Sequence, residues 1–127
     1  MKPFMGIIVG IGLVVGTQVA LAHDEPAAGA QGDQTLTGEV VDVMCYLSHG
    51  KKGLGMGHAD CGKKCVQSGL PVAIKVGDHL YLAAKADHTP ANAMLANLVG
   101  HQVMVHGQIL EADGQHLIAV SKVEESK

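Results

Sequence analysis

Arginine and tryptophan are absent from this chain, and its aromatic residues amount to two tyrosines and one phenylalanine. Nucleic-acid binding draws on basic side chains to neutralise phosphates and on rings to stack against bases. With neither in supply, and with a net charge of −3, nucleic acid is excluded as a partner class and an anionic membrane surface is disfavoured. Long hydrophobic runs are also missing. The apolar stretch from Ile7 to Val15 is too short and too interrupted by glycine to span a bilayer, and no other stretch approaches the length a span needs. Cysteine is scarce at three residues, and the odd number prevents a fully paired disulfide framework.

The N-terminal segment reads as an export signal. Lys2 supplies a positive start, the Ile7–Val15 run supplies the apolar centre, and Ala20-Leu21-Ala22 fits the small-x-small cleavage rule. Residues 1–22 are therefore expected to be removed before His23, which gives an exported, periplasmic or secreted protein with no membrane span in its mature chain. Residues 23–34 mix Ala, Gly, Pro and acids without periodicity and read as a flexible lead-in. The remainder, 35–124, is long enough for one domain with one core.

Within that domain, residues 35–46 are rich in β-branched and apolar types and read as the first strand, with Gly38 as a bulge and Cys45 at the strand's end. A glycine-rich stretch follows from Leu47 to Gly57. It lacks the Gly-Lys-Ser/Thr of a phosphate-binding loop. The spacing then predicts a short helix over 60–68, capped by Asp60 and stopped by Gly69 and Pro71. Strands are expected over 71–76 and 79–83 around a Gly77-Asp78 turn. A short helix over 90–97, with Thr89 as cap, leads to strands over 102–111 and 116–123, joined at Asp113-Gly114. The fold class expected is mainly β: a small five-stranded OB-like barrel, with a short Cys-bearing helix after strand 1 and another helix between strands 3 and 4.

The chemistry is concentrated in the stretch from Cys45 to Cys65. Cys45, His58, Cys61 and Cys65 form a Cys3His set of the kind that binds a metal ion in four-coordinate geometry. In a helix, Cys61 and Cys65 lie one turn apart on one face, about 6 Å along the axis. Lys63 and Lys64 and the nearby helix start favour thiolate at Cys61, which serves metal binding and redox chemistry alike. Thiolates with one imidazole suit one zinc or copper ion and disfavour calcium or magnesium. Met44 and Met56 adjoin the ligands and could offer a thioether to copper, although core packing is the ordinary role of such residues. His49 is an alternative to His58 in the same loop. Cleavage at residue 22 would also leave His23 with a free amine, a secondary copper-binding possibility.

Two alternatives stand beside the metal site. In an oxidising compartment two of the cysteines can close a structural disulfide and leave one thiol over, giving a stapled binding module. A thiol–disulfide redox protein using Cys61 and Cys65 is the other, although a Cys-x3-Cys spacing lacks the Cys-x2-Cys geometry of thioredoxin-like motifs. No serine lies in a nucleophile elbow, no carboxylate pair stands out, and Glu39 and Asp42 are expected to face outward from the first strand. The sequence thus favours a non-catalytic protein that stores, delivers or senses a metal, with a protein donor or acceptor of that metal as its partner.

The segments Gly38-Glu-Val-Val-Asp-Val-Met-Cys45, His58-x2-Cys61-x3-Cys65 and Gly69-Leu-Pro-Val72 give the mature chain a further feature. Taken together, it resembles a group of small exported bacterial OB-fold-like proteins that carry a Cys…His-x2-Cys-x3-Cys motif. That resemblance implies that the cysteine frame is a recurring design, and it brings no reaction with it.

Overall fold

A computed structural model describes residues 31–126, so the export signal, residues 23–30 of the lead-in and His23 lie outside the described residues. Five strands, β1 (Gln31–Asp42), β2 (Val72–Val76), β3 (His79–Lys85), β4 (Gln102–Ala112) and β5 (Gln115–Glu125), close a barrel in the order β1-β2-β3-β5-β4. Four of the five pairings are antiparallel, and the parallel β3–β5 pair completes the closure. This is the five-stranded OB-type arrangement expected from the element order.

Strand β4 shows why the sequence builds a barrel. Val103, Val105, Gly107 and Ile109 are buried, while Met104 and Gln108 between them are exposed, the two-residue period of a strand with one face on a core. Facing side chains from Val40, Ile74, Ile118 and Val120 fill the interior. A core of β-branched aliphatics suits a small barrel, where bulky rings would overfill the space. Three of the chain's eight histidines lie beside glutamates. His101, His106 and His116 pair with Glu125, Glu124 and Glu111, respectively.

Barrel closure bends the strands at two glycines. Glu39 pairs with Lys75 of β2 on one side and Gln102 of β4 on the other, so β1 changes partners there. A Cβ on the adjacent Gly38 would lie 2.3 Å from the Lys75 carbonyl oxygen. Gly38 is therefore a point of close backbone approach rather than the bulge expected from sequence, and the irregularity in β1 falls between Gln31 and Asp33. Gly107 plays the same part at the β4–β5 register shift, where a Cβ would come within 2.2 Å of the Ala119 carbonyl oxygen.

The hairpin turns follow the sequence signals. Gly77 has φ 55° at the first central position of the β2–β3 turn, and Asp113 and Gly114, at φ 50° and 75°, make the β4–β5 turn. The first strand departs from expectation at both ends. It begins at Gln31, so residues 31–34 of the anticipated lead-in are strand, and it stops at Asp42. Val43–His49 is instead a helix, α1, because Asp42 caps it.

Helix α2 (Ala59–Gln67) follows two short 3-10 turns, Gly50–Gly53 and Met56–His58. His58 rather than Asp60 is its N-cap residue, and Asp60 sits in the first turn, where an acid suits the positive end of the helix. Gly69, with φ 100°, ends the helix as anticipated. Helix α3 (Asn92–Leu95) continues into a 3-10 turn, Ala96–Leu98, and plugs one end of the barrel with Ala91, Leu95 and Ala96. Thr89 does not cap α3. Its amide and hydroxyl both bond to Asp87, and Ala91 holds the cap position without a side-chain bond.

One side chain ties α3 to α2. Asn92 Nδ2 donates to the carbonyls of Val66 and Leu70, each at 2.8 Å. Asn92→Ala removes both bonds, leaving the Val66 carbonyl with the Gly69 N–H alone and the Leu70 carbonyl without this donor, and is expected to lower unfolding stability by about 1–3 kcal/mol. Urea denaturation of the variant and the parent protein measures this, and equal midpoints would show that the bond carries no weight.

Candidate metal centre

The site is built in the excursion between β1 and β2. Asp42, the last residue of β1, is completely buried, and its Oδ1 accepts a 2.6 Å hydrogen bond from the Cys45 N–H. A side-chain acceptor three residues ahead is the usual N-cap arrangement, and it turns Val43-Met-Cys into helix despite their strand-like character. Cys45 thereby sits in the first turn of α1. The expectation that Asp42 faces solvent is overturned by this burial. Glu39, half-buried, accepts a hydrogen bond from the Gly55 N–H and so pins the loop to β1.

Small residues let the excursion fold back on itself. A Cβ on Gly53 would lie 2.8 Å from the Cys45 carbonyl oxygen, and one on Gly100 would lie 2.8 Å from that of Gly55. Gly62, buried in α2 between Cys61 and Cys65, lies against Val99 from the barrel's plug and against Asp42 and His58. Val66, one residue past Cys65, is fully buried in the core. Two anchors thus fix α2, and both lie beside its cysteines.

As a result the three sulfurs come together. Cys45, Cys61 and Cys65 have Sγ atoms all within 4.8 Å of one another, close enough to hold a metal ion. The Cys45–Cys65 separation is 4.0 Å. Thiolate bonds of about 2.3 Å at tetrahedral angles place sulfurs roughly 3.8 Å apart, whereas a disulfide needs about 2.05 Å. The Cys45–Cys65 spacing is close to the first value and far from the second, and none of the three cysteines is in a disulfide. Cys61 is exposed while Cys45 and Cys65 are half-buried, so the group opens to solvent on the Cys61 side.

Electrostatics around the sulfurs favours a cation. Burial above all, then the negative charge of Asp42 and a hydrogen bond with Cys65, pushes the Cys45 thiol up to about 12. Burial also raises Cys65, with Asp42 adding to the effect and the Cys45 contact opposing it. These thiols keep their protons until something more positive displaces them, as a metal ion does.

No family model, curated protein or solved structure matches this chain. The site therefore rests on its own geometry.

Of the residues expected from sequence, the three cysteines are brought together and His58 is adjacent but outside their group. His58 is half-buried at the N-cap of α2, and its Nε2 is buried without a hydrogen-bond partner. His49 is exposed at the end of α1. Met44 and Met56 are 55% and 62% exposed, which overturns the core role expected for them. The residue that sequence reasoning missed is Asp42. Its signal was available in the spacing: an acid three positions before Cys45 is a helix-cap pattern. A groove of about 660 Å³ beside α1, lined by Tyr46, Leu47, Pro71, His79, Leu82 and His116, contains none of the cysteines.

Proposed function

We propose that this is an exported protein that binds one soft metal ion, zinc or copper, through Cys45, Cys61 and Cys65, with His58 as the fourth ligand. Its role is storage, delivery or sensing of the metal rather than catalysis, with a protein donor or acceptor as partner. The observation that carries the reading is the convergence of three sulfurs from two helices to within 4.8 Å. Softness supports the choice of metal, because thiolates and imidazole prefer zinc and cuprous copper to hard cations. The N-terminal pattern of Lys2, the Ile7–Val15 run and Ala20-Leu21-Ala22 supports export.

A second reading is favoured by one distance. Cys45 and Cys65, at 4.0 Å, are near enough to be oxidised together after a small approach, leaving Cys61 exposed and reduced. That outcome would make the excursion a stapled module, or a redox protein whose nearest pair is Cys45–Cys65 rather than Cys61–Cys65.

One preparation separates these readings. The mature protein is purified from the periplasm without reductant, its metal is quantified, and its thiols are titrated before and after denaturation. Near-equimolar zinc or copper with three thiols and no disulfide is the expected result. Metal-free protein with one disulfide and one thiol would overturn the metal reading.

A further inference from the structure

Among the described residues, two side-chain polar atoms are buried without a hydrogen-bond partner: Asp42 Oδ2 and His58 Nε2. They belong to one place in the fold. The point where a Gly62 Cβ would stand lies 3.4 Å from Asp42 Cβ and 3.5 Å from His58 Cδ2, the ring carbon bonded to Nε2. Gly62 is thus within ordinary contact distance of both side chains, while the neighbour that leaves no room for a side chain there is Val99, at 2.7 Å. A buried carboxylate oxygen without a donor is costly, and a buried ring nitrogen without a partner adds to that cost. The two orphans flank Gly62 without being bonded to each other, and they are complementary in type, one an acceptor and the other a donor when its nitrogen carries the proton.

Metal-bound imidazole supplies the missing state. A histidine that ligates through one ring nitrogen must carry its proton on the other, and that N–H ordinarily goes to a carboxylate or carbonyl, which fixes the ring and makes it a better ligand. We propose that Asp42 is the positioning residue for His58: its Oδ2 accepts the Nε2–H while Nδ1 faces the ion. The inference rests on the metal-binding reading above and adds the residue that completes the site. It also gives Asp42 two tasks with its two oxygens, Oδ1 holding the Cys45 amide and Oδ2 holding His58. A single buried carboxylate then sets both α1 and the imidazole at the head of α2.

The test uses zinc as probe and Asp42→Asn, His58→Ala and the double variant. The asparagine side chain of the first retains an oxygen for the Cys45 cap and loses the acceptor for Nε2–H. Each single variant is expected to bind zinc about 10- to 100-fold more weakly than the parent, and the double variant no more weakly than the poorer single one. Metal-free Asp42→Asn should melt no lower than the parent, because asparagine keeps the cap, so its loss of zinc affinity is not a loss of fold. Parent-like zinc affinity in Asp42→Asn, or additive losses in the double variant, would overturn the inference while leaving the metal reading intact. Failure of the parent to bind zinc or copper would overturn both. A measurement on the unaltered protein guards against a variant that does not fold: nitrogen NMR shifts of His58 in the zinc-loaded protein should show Nδ1 metal-bound and Nε2 protonated. Ligation through Nε2 would refute the arrangement.

Discussion

Cys65→Ser protein is expected to emerge from purification without stoichiometric metal. Cys65 Sγ lies 4.0 Å from that of Cys45, and it joins α2 to α1 across the site. Serine is nearly isosteric, but its hydroxyl keeps its proton at neutral pH and is a hard donor, so the substitution removes a ligand and changes little else. Structural zinc sites bind with an apparent free energy of about 10–16 kcal/mol from four ligands, and one thiolate's share of roughly 3–4 kcal/mol corresponds to a loss of several hundred-fold. Competition against a chromophoric chelator measures the change. Cys45→Ser and Cys61→Ser should fall by comparable factors, and His49→Ala, altering an exposed residue outside the sulfur group, should not fall at all. Undiminished affinity in any one of the cysteine variants would remove that sulfur from the site.

A large loss of stability is expected from Gly38→Ala. The added Cβ would stand 2.3 Å from the Lys75 carbonyl oxygen and 2.9 Å from Val76 Cγ2. The first of these is backbone, so rotamer adjustment cannot relieve it, and β1 must move away from β2 at the point where it also pairs with β4. Such overpacking, joined to the loss of ladder bonds, should lower unfolding free energy by roughly 3 kcal/mol or more. Gly32→Ala is the internal comparison, because nothing lies within 4 Å of the added carbon, and it should change stability by no more than about 0.5 kcal/mol. Urea or thermal unfolding read side by side decides the matter. Similar midpoints for the two variants would show that β1 relaxes at Gly38 without strain.

The barrel was legible because its strands are rich in β-branched residues, with clean alternation in β4, and because glycines mark its turns. Val103, Val105 and Ile109 announce β4, and Gly77-Asp78 and Asp113-Gly114 announce the two hairpins. Misreadings arose where one side chain overruled a local preference. Val43-Met-Cys-Tyr46 has strand-like composition, but the Asp42 cap bends it into α1, and a single hydrogen bond decides the outcome. Thr89 precedes Pro90 as a cap should, yet its hydroxyl is already engaged by Asp87. At the site, the cysteines were legible from type and spacing alone. Asp42 was legible only as a cap, from its spacing to Cys45; its burial was not, because an acid at the end of a strand is read as solvent-facing until the packing of α2 is known. The exposure of Met44 and Met56 belongs to the same class of information, since it depends on which face of the excursion meets the barrel.

The pairing of Asp42 with Val72 has a consequence for how such a protein can be built. Directly paired residues on neighbouring strands lie about 5 Å apart, so the excursion that carries every proposed ligand leaves and re-enters the sheet through a single narrow gate. In topological terms it occupies the place of a hairpin loop, and a two-residue turn could occupy the same gate. Its holds on the barrel are Val66, buried in the core, Gly62 packed against Val99, the bond from the Gly55 N–H to Glu39, and the Asn92 bonds to Val66 and Leu70. The excursion is therefore a cassette: with those contacts supplied, it could be grafted onto another antiparallel strand pair. A barrel with the cassette excised and a short turn in its place would retain its five-stranded closure.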